Sequence, residues 1–511
     1  MGSARVHSAA LTGITGHIVT VDAGISNGPP GMALAGLPET ALRETRDRVR
    51  AAIINSAETW PARRITASLQ PASLPKPGGA CDLAIAVTVL AANGAVPADA
   101  AAGVMFLAEL GLDGHLRPVP GVVPAVIAAA DAGIGTVVVA EADMPGAALV
   151  PGVRVVGAGR LAAVCGWLRT GDPALIREMP PQAAAPAGAQ VPDGILPDLA
   201  DVPGQPQARR ALEVSAAGGH HLSLIGPGSG ALLLAGRLPG ILPPLDRDQA
   251  LEAAAIRSAA GLPTPDDGLV TRPPFVTVDP ASSMATITGT GGPSPRPGAV
   301  SLAHHGVLVL DQAPEFSRDM LDALRQPLET GQVTVARRGV AVTLPARFTL
   351  IVTARPCACA ATPRAECACS PAARRRYLGR LSGPLLDRIE VKAAVHPADS
   401  PEPDVLAGPP ESSAAVAVRV LAARDRAVRR LAGTPWRVNA QVPASGLRRD
   451  WTPSPDALPA VERAIEQGQI SQRGAASVIQ VAWTLADLAG KERPGREECE
   501  HALRLRLGVA Q

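Results

Sequence analysis

Aromatic side chains are nearly missing from this chain, which has four Phe, five Trp and one Tyr in 511 residues. Its core must therefore be built from Val, Leu, Ile and Ala. An excess of charge of one sign is missing as well. Forty-eight Lys and Arg against 46 Asp and Glu leave a formal net charge of +2. That balance excludes a global nucleic-acid footprint, so any DNA contact has to be local. There is no apolar run of 18 residues free of breakers, and no basic segment leading into an apolar stretch at the N-terminus. These absences predict a cytoplasmic protein with no membrane partner. Cysteine is scarce and odd in number, seven in all, with four between positions 357 and 369. That spacing argues against a secreted disulfide scaffold and suits a metal knot or reduced thiols.

What is present points to an α/β protein. The length predicts roughly two to four domains. In the first segment, GHIVTVDAGIS alternates like a strand, and RITASLQ puts Ile65, Ala67 and Leu69 on one face. ETALRETRDRVRAAIINSA spaces Leu42, Val49 and Ile53 along one side of a helix, with Glu39 and Glu44 early in it. DLAIAVTVLAANG reads as a buried helix stopped at Gly94, and GTVVVAE as a buried strand. Composition shifts divide the chain into an α/β domain at 1–177, a Pro/Ala-rich linker at 178–195, a second α/β core at 196–395, a linker at 396–413 and a helical domain at 414–511.

The chemistry concentrates in the second core. Strand Leu222 to Ile225 runs into Gly226, Pro227, Gly228, Ser229 and Gly230, and a helix that should bury Leu233 and Leu234 follows. A phosphate loop reads G-x-x-x-x-G-K-[ST]. Here the loop is one residue short, Ala231 stands at the lysine position and Leu232 at the hydroxyl position. A second apolar run, Val307 to Leu310, ends in Asp311, as a strand that delivers a carboxylate to Mg²⁺ does. Gln312 follows, where a glutamate would activate water; an amide takes no proton at neutral pH. A third strand, RFTLIVTARPC, leads into Cys357, Cys359, Cys367 and Cys369. Four thiolates suit tetrahedral Zn²⁺, although C-x-C is tighter than the usual pair spacing; reduced free thiols are the alternative. VTVARRGVAVTLP reads as two strands joined at Arg337 and Arg338, and RRRYLGR is a second basic cluster.

GLPETALRETRDRVRAAIINSAETWPARRITASLQPASLPKPGGACDLAIAV, PRPGAVSLAHHGVLVLD, PEFSRDMLDALRQPLETGQVTVARRGVAVTLPARF, LSGPLLDRIE and QVAWTLADLAG together resemble the YifB/ComM family of magnesium-chelatase-like AAA+ ATPases over nearly the whole length. The resemblance implies a Lon-protease-like N-terminal α/β domain, an AAA+ P-loop core with a parallel sheet, and a C-terminal helical lid. It implies ATP and Mg²⁺ as cofactors, assembly as a homo-oligomer (a hexameric ring) or hetero-oligomer, and ATP-driven movement of DNA branches in recombination and DNA uptake. It implies that Arg388 is a finger reaching a neighbouring subunit's nucleotide. The plainer reading of that residue is an arginine paired with Asp387 or Glu390. It also makes Arg337 and Arg338 DNA-phosphate contacts at a pore hairpin.

The resemblance also marks departures. Lysine and threonine are expected at Ala231 and Leu232, glutamate at Gln312, a phosphate-sensing asparagine at Arg355, and arginines at Ser477, Gln480 and Trp483. The lid arginine Arg473 is kept, and VTVDPASS at 276–283 lacks the family's basic side chains. The expectation is a hydrolysis-deficient ring or scaffold protein with remnant nucleotide-binding residues Gly226 to Gly230 and Asp311. The alternatives are an active helicase completed by a partner subunit, or a binding module with no DNA role. Proteolysis and porphyrin metallation are not expected, because no Ser–Lys dyad or chelatase partner features are recognisable.

Overall fold

The computed structural model describes residues 2–76, 79–180, 197–265, 268–292, 295–337, 340–359, 367–381, 383–396 and 410–508. Its first sheet has eight strands: β1 (Gly2–Thr12), β2 (Thr15–Ser26), β3 (Gly31–Ala35), β4 (Arg64–Gln70), β5 (Val104–Leu107), β6 (Thr136–Ala140), β7 (Arg154–Ala158) and β8 (Arg177–Met179). Their spatial order is β8-β7-β6-β5-β1-β2-β4-β3. β1 pairs antiparallel with β2 and parallel with β5, so the sheet is mixed. The alternation in RITASLQ is realised, with Ile65, Ala67 and Leu69 buried on one face. The predicted linker begins later than its composition suggests. Glu178 and Met179 still pair with Val156 and Val155, and residues 181–196 lie outside the described residues. The same holds for 397–409 of the second linker.

Helix α1 (Glu39–Asn55) turns Val49 and Ile53 into the core, while Leu42 is half-buried. Helix α2 (Asp82–Ala92) is buried at all its residues, which explains its continuous apolar sequence. It stops just before Gly94, whose φ of 77° is the left-handed value glycine tolerates. Helix α3 (Val122–Asp131) covers the opposite face of the sheet. Gly121 at its start has φ of 83°, a left-handed value that favours glycine.

The second sheet is all parallel. Its strands are β9 (Leu222–Ile225), β10 (Phe275–Val278), β11 (Val307–Leu310), β14 (Thr349–Ala354) and β15 (Val391–Ala394). The hairpin formed by β12 (Gln332–Arg337) and β13 (Val340–Pro345) stands between β11 and β14 in the chain. The spatial order is β10-β11-β14-β9-β15. Parallel strands buried on both faces need near-continuous apolar runs, which VLVL and TLIVTA supply. One face carries α4 (Pro206–Gly218), α5 (Gly230–Ala235), α8 (Ser413–Arg430), α9 (Gln472–Ala489) and α10 (Arg496–Leu507) in a single apolar cluster.

Helix α6 (Arg247–Ala259) joins the two sheets. Its Ala250 and Ala253 share a cluster with Val122 and Val126 of α3. The Gly121 N–H donates to Ser258 O at 2.8 Å, so the contact is anchored by backbone as well as by apolar area. Helix α7 (Pro371–Leu378) follows the cysteine-rich loop. No helix among the described residues is long and apolar enough to cross a membrane.

The buried Asp143 gives a stability prediction. Burial, opposed only by the Val119 N–H at 2.9 Å, pushes its carboxyl up to about 6. A folded-state value above the unfolded 3.8 means that its contribution is full below pH 3.8 and is lost as pH rises through 6. The window corresponds to about 3 kcal/mol. Asp143→Asn should therefore lose less stability than the parent between pH 4 and 7, read from urea midpoints across that range.

Candidate functional site

The site lies at the carboxyl ends of three adjacent strands, where ligands of parallel α/β sheets bind. Ile225 and Ala354 are register partners, and so are Leu310 and Val352. Gly226 after β9, Asp311 after β11 and Arg355 after β14 are thereby brought to one crevice. The Gly226 N–H donates to Ala354 O at 3.0 Å. A Cβ on Gly226 would lie 2.4 Å from Val395 O, so the loop passes too close to the last strand for any other residue. Gly228 takes φ of 62° with open space around it.

Helix α5 runs only from Gly230 to Ala235. Ala231, Leu234 and Ala235 face the core, and Leu232 packs partly against it. The expectation that Leu233 is buried is corrected: it is 48% exposed. Ala231, Leu234 and Ala235 follow the i, i+3, i+4 spacing of one helical face, and Leu233 falls on the opposite side.

Asp311 is held by β14. Its Oδ1 accepts the Thr353 hydroxyl at 2.7 Å, and that hydroxyl oxygen accepts the Gln312 N–H at 2.9 Å. Gln312 has φ of 54°, a left-handed value that a non-glycine residue adopts at a cost. The fit to Mg²⁺-triphosphate is poor. Ala231 offers no ammonium, Leu232 no hydroxyl for the metal, and Gln312 no carboxylate for the attacking water.

Arg388 is 6% exposed and bonded to the Glu329 carboxylate and, at 2.5 Å, to Pro384 O. It pairs with neither sequence neighbour. Asp387 accepts from Arg506 at 2.7 Å, and Glu390 takes the His221 N–H at 2.7 Å. Arg473 approaches the same Glu329 oxygen at 3.9 Å. Burial, then the charges of Arg473 and Arg325, hold Arg388 below its usual range, and its Nε has no partner. Two guanidiniums thus share one carboxylate, with the charge of Arg325 acting on Arg388 beside them, a convergence that sequence positions 325, 388 and 473 did not reveal.

The lid residues Ser477, Gln480 and Trp483 turn inward. Ser477 is buried, Gln480 Nε2 donates to Ala440 O and Val442 O at 3.1 and 2.8 Å, and Trp483 Nε1 donates to Trp451 O at 2.8 Å. Arg430 stacks 4.2 Å above the Trp483 ring and grips the buried Asp487 with both nitrogens, at 2.5 and 2.7 Å.

Among the thiols, Cys357 Sγ lies 3.1 Å from Cys359 and 3.2 Å from Cys367, with Cys359 to Cys367 at 3.4 Å. All four Sγ atoms, Cys369 included, fall within 4.8 Å of one another. Arg374 Nη2 donates to Cys367 Sγ at 3.6 Å. The Cys357 thiol foremost, then the Cys369 N–H, pulls Cys367 down to about 6. These soft donors fit a thiophilic ion, since Zn–S bonds of about 2.3 Å put tetrahedral sulfurs about 3.8 Å apart. A second cluster, unforeseen in sequence, joins Glu252 to His304 and His305 at 3.3 and 2.8 Å. His304 Nδ1 accepts the Arg347 N–H at 2.9 Å, so its proton sits on the nitrogen facing Glu252 and that nitrogen has no lone pair for a metal. Of the hairpin arginines, Arg337 is exposed at the end of β12, and Arg338 lies outside the described residues.

A five-stranded parallel sheet with its phosphate-type loop on a central strand and a helical lid defines a magnesium-chelatase-like AAA+ protein. The comparisons are of one kind. The family model for magnesium chelatase subunit ChlI matches residues 198–402, a model for subunit ChlI of Mg-chelatase matches 21–143, and one for the ChlI C-terminal region matches 410–506. Protein Rv2897c of Mycobacterium tuberculosis is 45% identical over 507 residues, 99% of each chain. YifB of Escherichia coli is 39% identical over 511 residues, covering 99% of this chain and 97% of its own. Competence protein ComM of Haemophilus influenzae is 36% identical over 511 residues, 100% and 98% of the two chains. The chain belongs to the YifB/ComM family of magnesium-chelatase-like proteins.

Removing one partner of a buried ion pair leaves the other charge stranded, at about 3–5 kcal/mol. Asp487→Ala should strand Arg430 and lower chemical stability by that order, read from denaturant unfolding followed by tryptophan fluorescence.

Proposed function

We propose that this protein is a hydrolysis-deficient YifB/ComM-type AAA+ protein, acting as a ring-forming or scaffold component beside DNA recombination or DNA uptake. The observation that carries the reading is the combined state of Ala231, Leu232 and Gln312 around an otherwise kept crevice. Each change removes a group that would grip phosphate, hold Mg²⁺ or activate water. Loss of a general base alone costs about 10²–10⁴ in rate. A lost charged hydrogen bond costs about 1.5–3 kcal/mol. The terms overlap and do not simply add. The link to DNA rests on resemblance to a competence protein and on the exposed Arg337, with Arg338 next to it in sequence. A homo-oligomer in the cytoplasm is part of the same reading.

A second reading is favoured by the Arg325, Arg388 and Arg473 cluster. Arg388 and Arg473 share the Glu329 carboxylate, and with the charge of Arg325 acting beside them they suit an anion from outside the chain, such as the phosphates of a neighbouring subunit. Under it, this chain completes the site of an active partner and contributes arginines rather than a pocket. The reading as a binding module without DNA draws on no specific contact. Zn²⁺ is the cofactor proposed for Cys357, Cys359, Cys367 and Cys369, where it would cross-link the loop and Arg374 would offset thiolate charge.

Purified protein should show no ATP turnover above that of Asp311→Ala; turnover abolished by that substitution would refute the first reading. Protein purified without chelator should carry one equivalent of zinc and lose it in Cys357→Ser. Four freely titrating thiols and no zinc would remove the metal. Arg337→Glu with Arg338→Glu should weaken DNA binding and flatten its salt dependence.

A further inference from the structure

The seam between the N-terminal sheet and the second core holds a cavity of about 210 Å³. The N-terminal side contributes the end of β1, the end of β5 and the residues leading into α2 and α3. The core contributes Ala259 at the end of α6, Pro295 and Arg296. Leu107, Val119 and Ala259 are buried and give it an apolar wall. At about 30 Å³ for each water, such a volume corresponds to roughly seven waters, so a ligand of only a few carbons fits.

One charged side chain in that wall has no counter-ion. Lys76 lines the cavity and is only 2% exposed. Its Nζ donates to Pro71 O at 2.5 Å and to Leu74 O at 3.0 Å. An ammonium carries three N–H donors. The third has no acceptor, and the charge no carboxylate partner, among the described residues. Burial holds Lys76 below the usual lysine range. A cation in that state is costly until an anion joins it. Arg296 adds a second cation on the exposed side of the cavity, and its guanidinium has no bonded partner among the described residues. The carboxylates nearby are turned to other arginines: Glu109, in the same wall, to Arg117 at 4.0 Å, and Asp82 to Arg48 at 2.8 Å. Cys81 also lines the cavity, and burial pushes its thiol up to about 11, so it stays neutral and repels no anion.

We propose that this cavity binds a small organic acid, with its carboxylate on Lys76 and a short apolar tail against Leu107 and Val119. A carboxylate suits the buried wall better than a phosphate does. One ammonium neutralises one negative charge there, whereas a phosphate dianion would bury oxygens that find no donor. The wall comes from both halves of the molecule, so a bound acid touches the N-terminal sheet and α6 together. The site lies apart from the crevice at the ends of β9, β11 and β14 and requires no nucleotide there.

The chain has only three lysines, at positions 76, 392 and 491. Labelling the full chain with ¹³Cε-lysine therefore gives a sparse spectrum, in which Lys76→Arg assigns the resonance at the cavity. Butyrate, its neutral isostere butyramide and inorganic phosphate are each titrated, followed by this spectrum and by calorimetry. Butyrate should bind with a dissociation constant of roughly 1 mM, an order open to six non-hydrogen atoms. It should shift the Lys76 resonance and leave those of Lys392 and Lys491 in place. Butyramide and phosphate should bind more weakly. Lys76→Met should weaken butyrate by at least about 10-fold, Lys76→Arg should recover part of that, and Arg296→Ala should cost roughly 2–5-fold. Absence of butyrate binding, an unmoved Lys76 resonance at saturation, or unchanged affinity in a folded Lys76→Met would overturn the proposal. So would butyramide or phosphate binding as tightly as butyrate. If Lys76→Met does not fold, the resonance of the parent and the butyramide comparison decide.

Discussion

The Thr353 hydroxyl is a small group on which the crevice depends. It gives its proton to Asp311 and takes the Gln312 N–H, so one side chain of β14 fixes both residues at the end of β11. Gln312 can hold its left-handed backbone only because such contacts determine it from outside. With β9 bound to β14 on the other side, the phosphate-type loop and the carboxylate keep their relation whatever chemistry the loop carries. The sheet itself is held by Val, Leu and Ile, with Ala231 in the same apolar cluster and Leu232 packed against it.

The N-terminal sheet is tied to this core through α6. Ala250 and Ala253 pack on α3, and Ser258 serves two N–H groups there, Gly121 through its carbonyl and Val123 through its hydroxyl. Alanines on α6 pack against Val122 and Val126 of α3, and the glycine at 121 holds a left-handed backbone where the two helices meet. The two sheets are therefore joined by apolar packing and by backbone and side-chain hydrogen bonds.

The lid is held by polar side chains turned inward. Gln480 and Trp483 donate to backbone carbonyls at the base of the lid, and Arg430, Asp487 and Asn439 complete a buried polar network beside them. Arg388 and Arg473 both turn to Glu329.

Much of the fold was legible in the sequence because periodicity reports burial directly. RITASLQ alternates, DLAIAVTVLAA is apolar throughout and VLVL is a buried parallel strand; each became the element its pattern demands. The family and the loop positions were legible for the same local reason, since motifs are contiguous. What needed three dimensions was everything that depends on partners far apart in the chain. The plainer of the two sequence readings paired Arg388 with Asp387 or Glu390, and the fold gave it Glu329. Sequence buried Leu233, and the short helix exposed it. The Glu252–His304–His305 cluster joins residues about fifty positions apart and has no signature in either segment. Local propensity and apolar spacing act within a segment and can be read there. Charge compensation and hydrogen-bond satisfaction are settled between segments, and only the tertiary structure decides which ones meet.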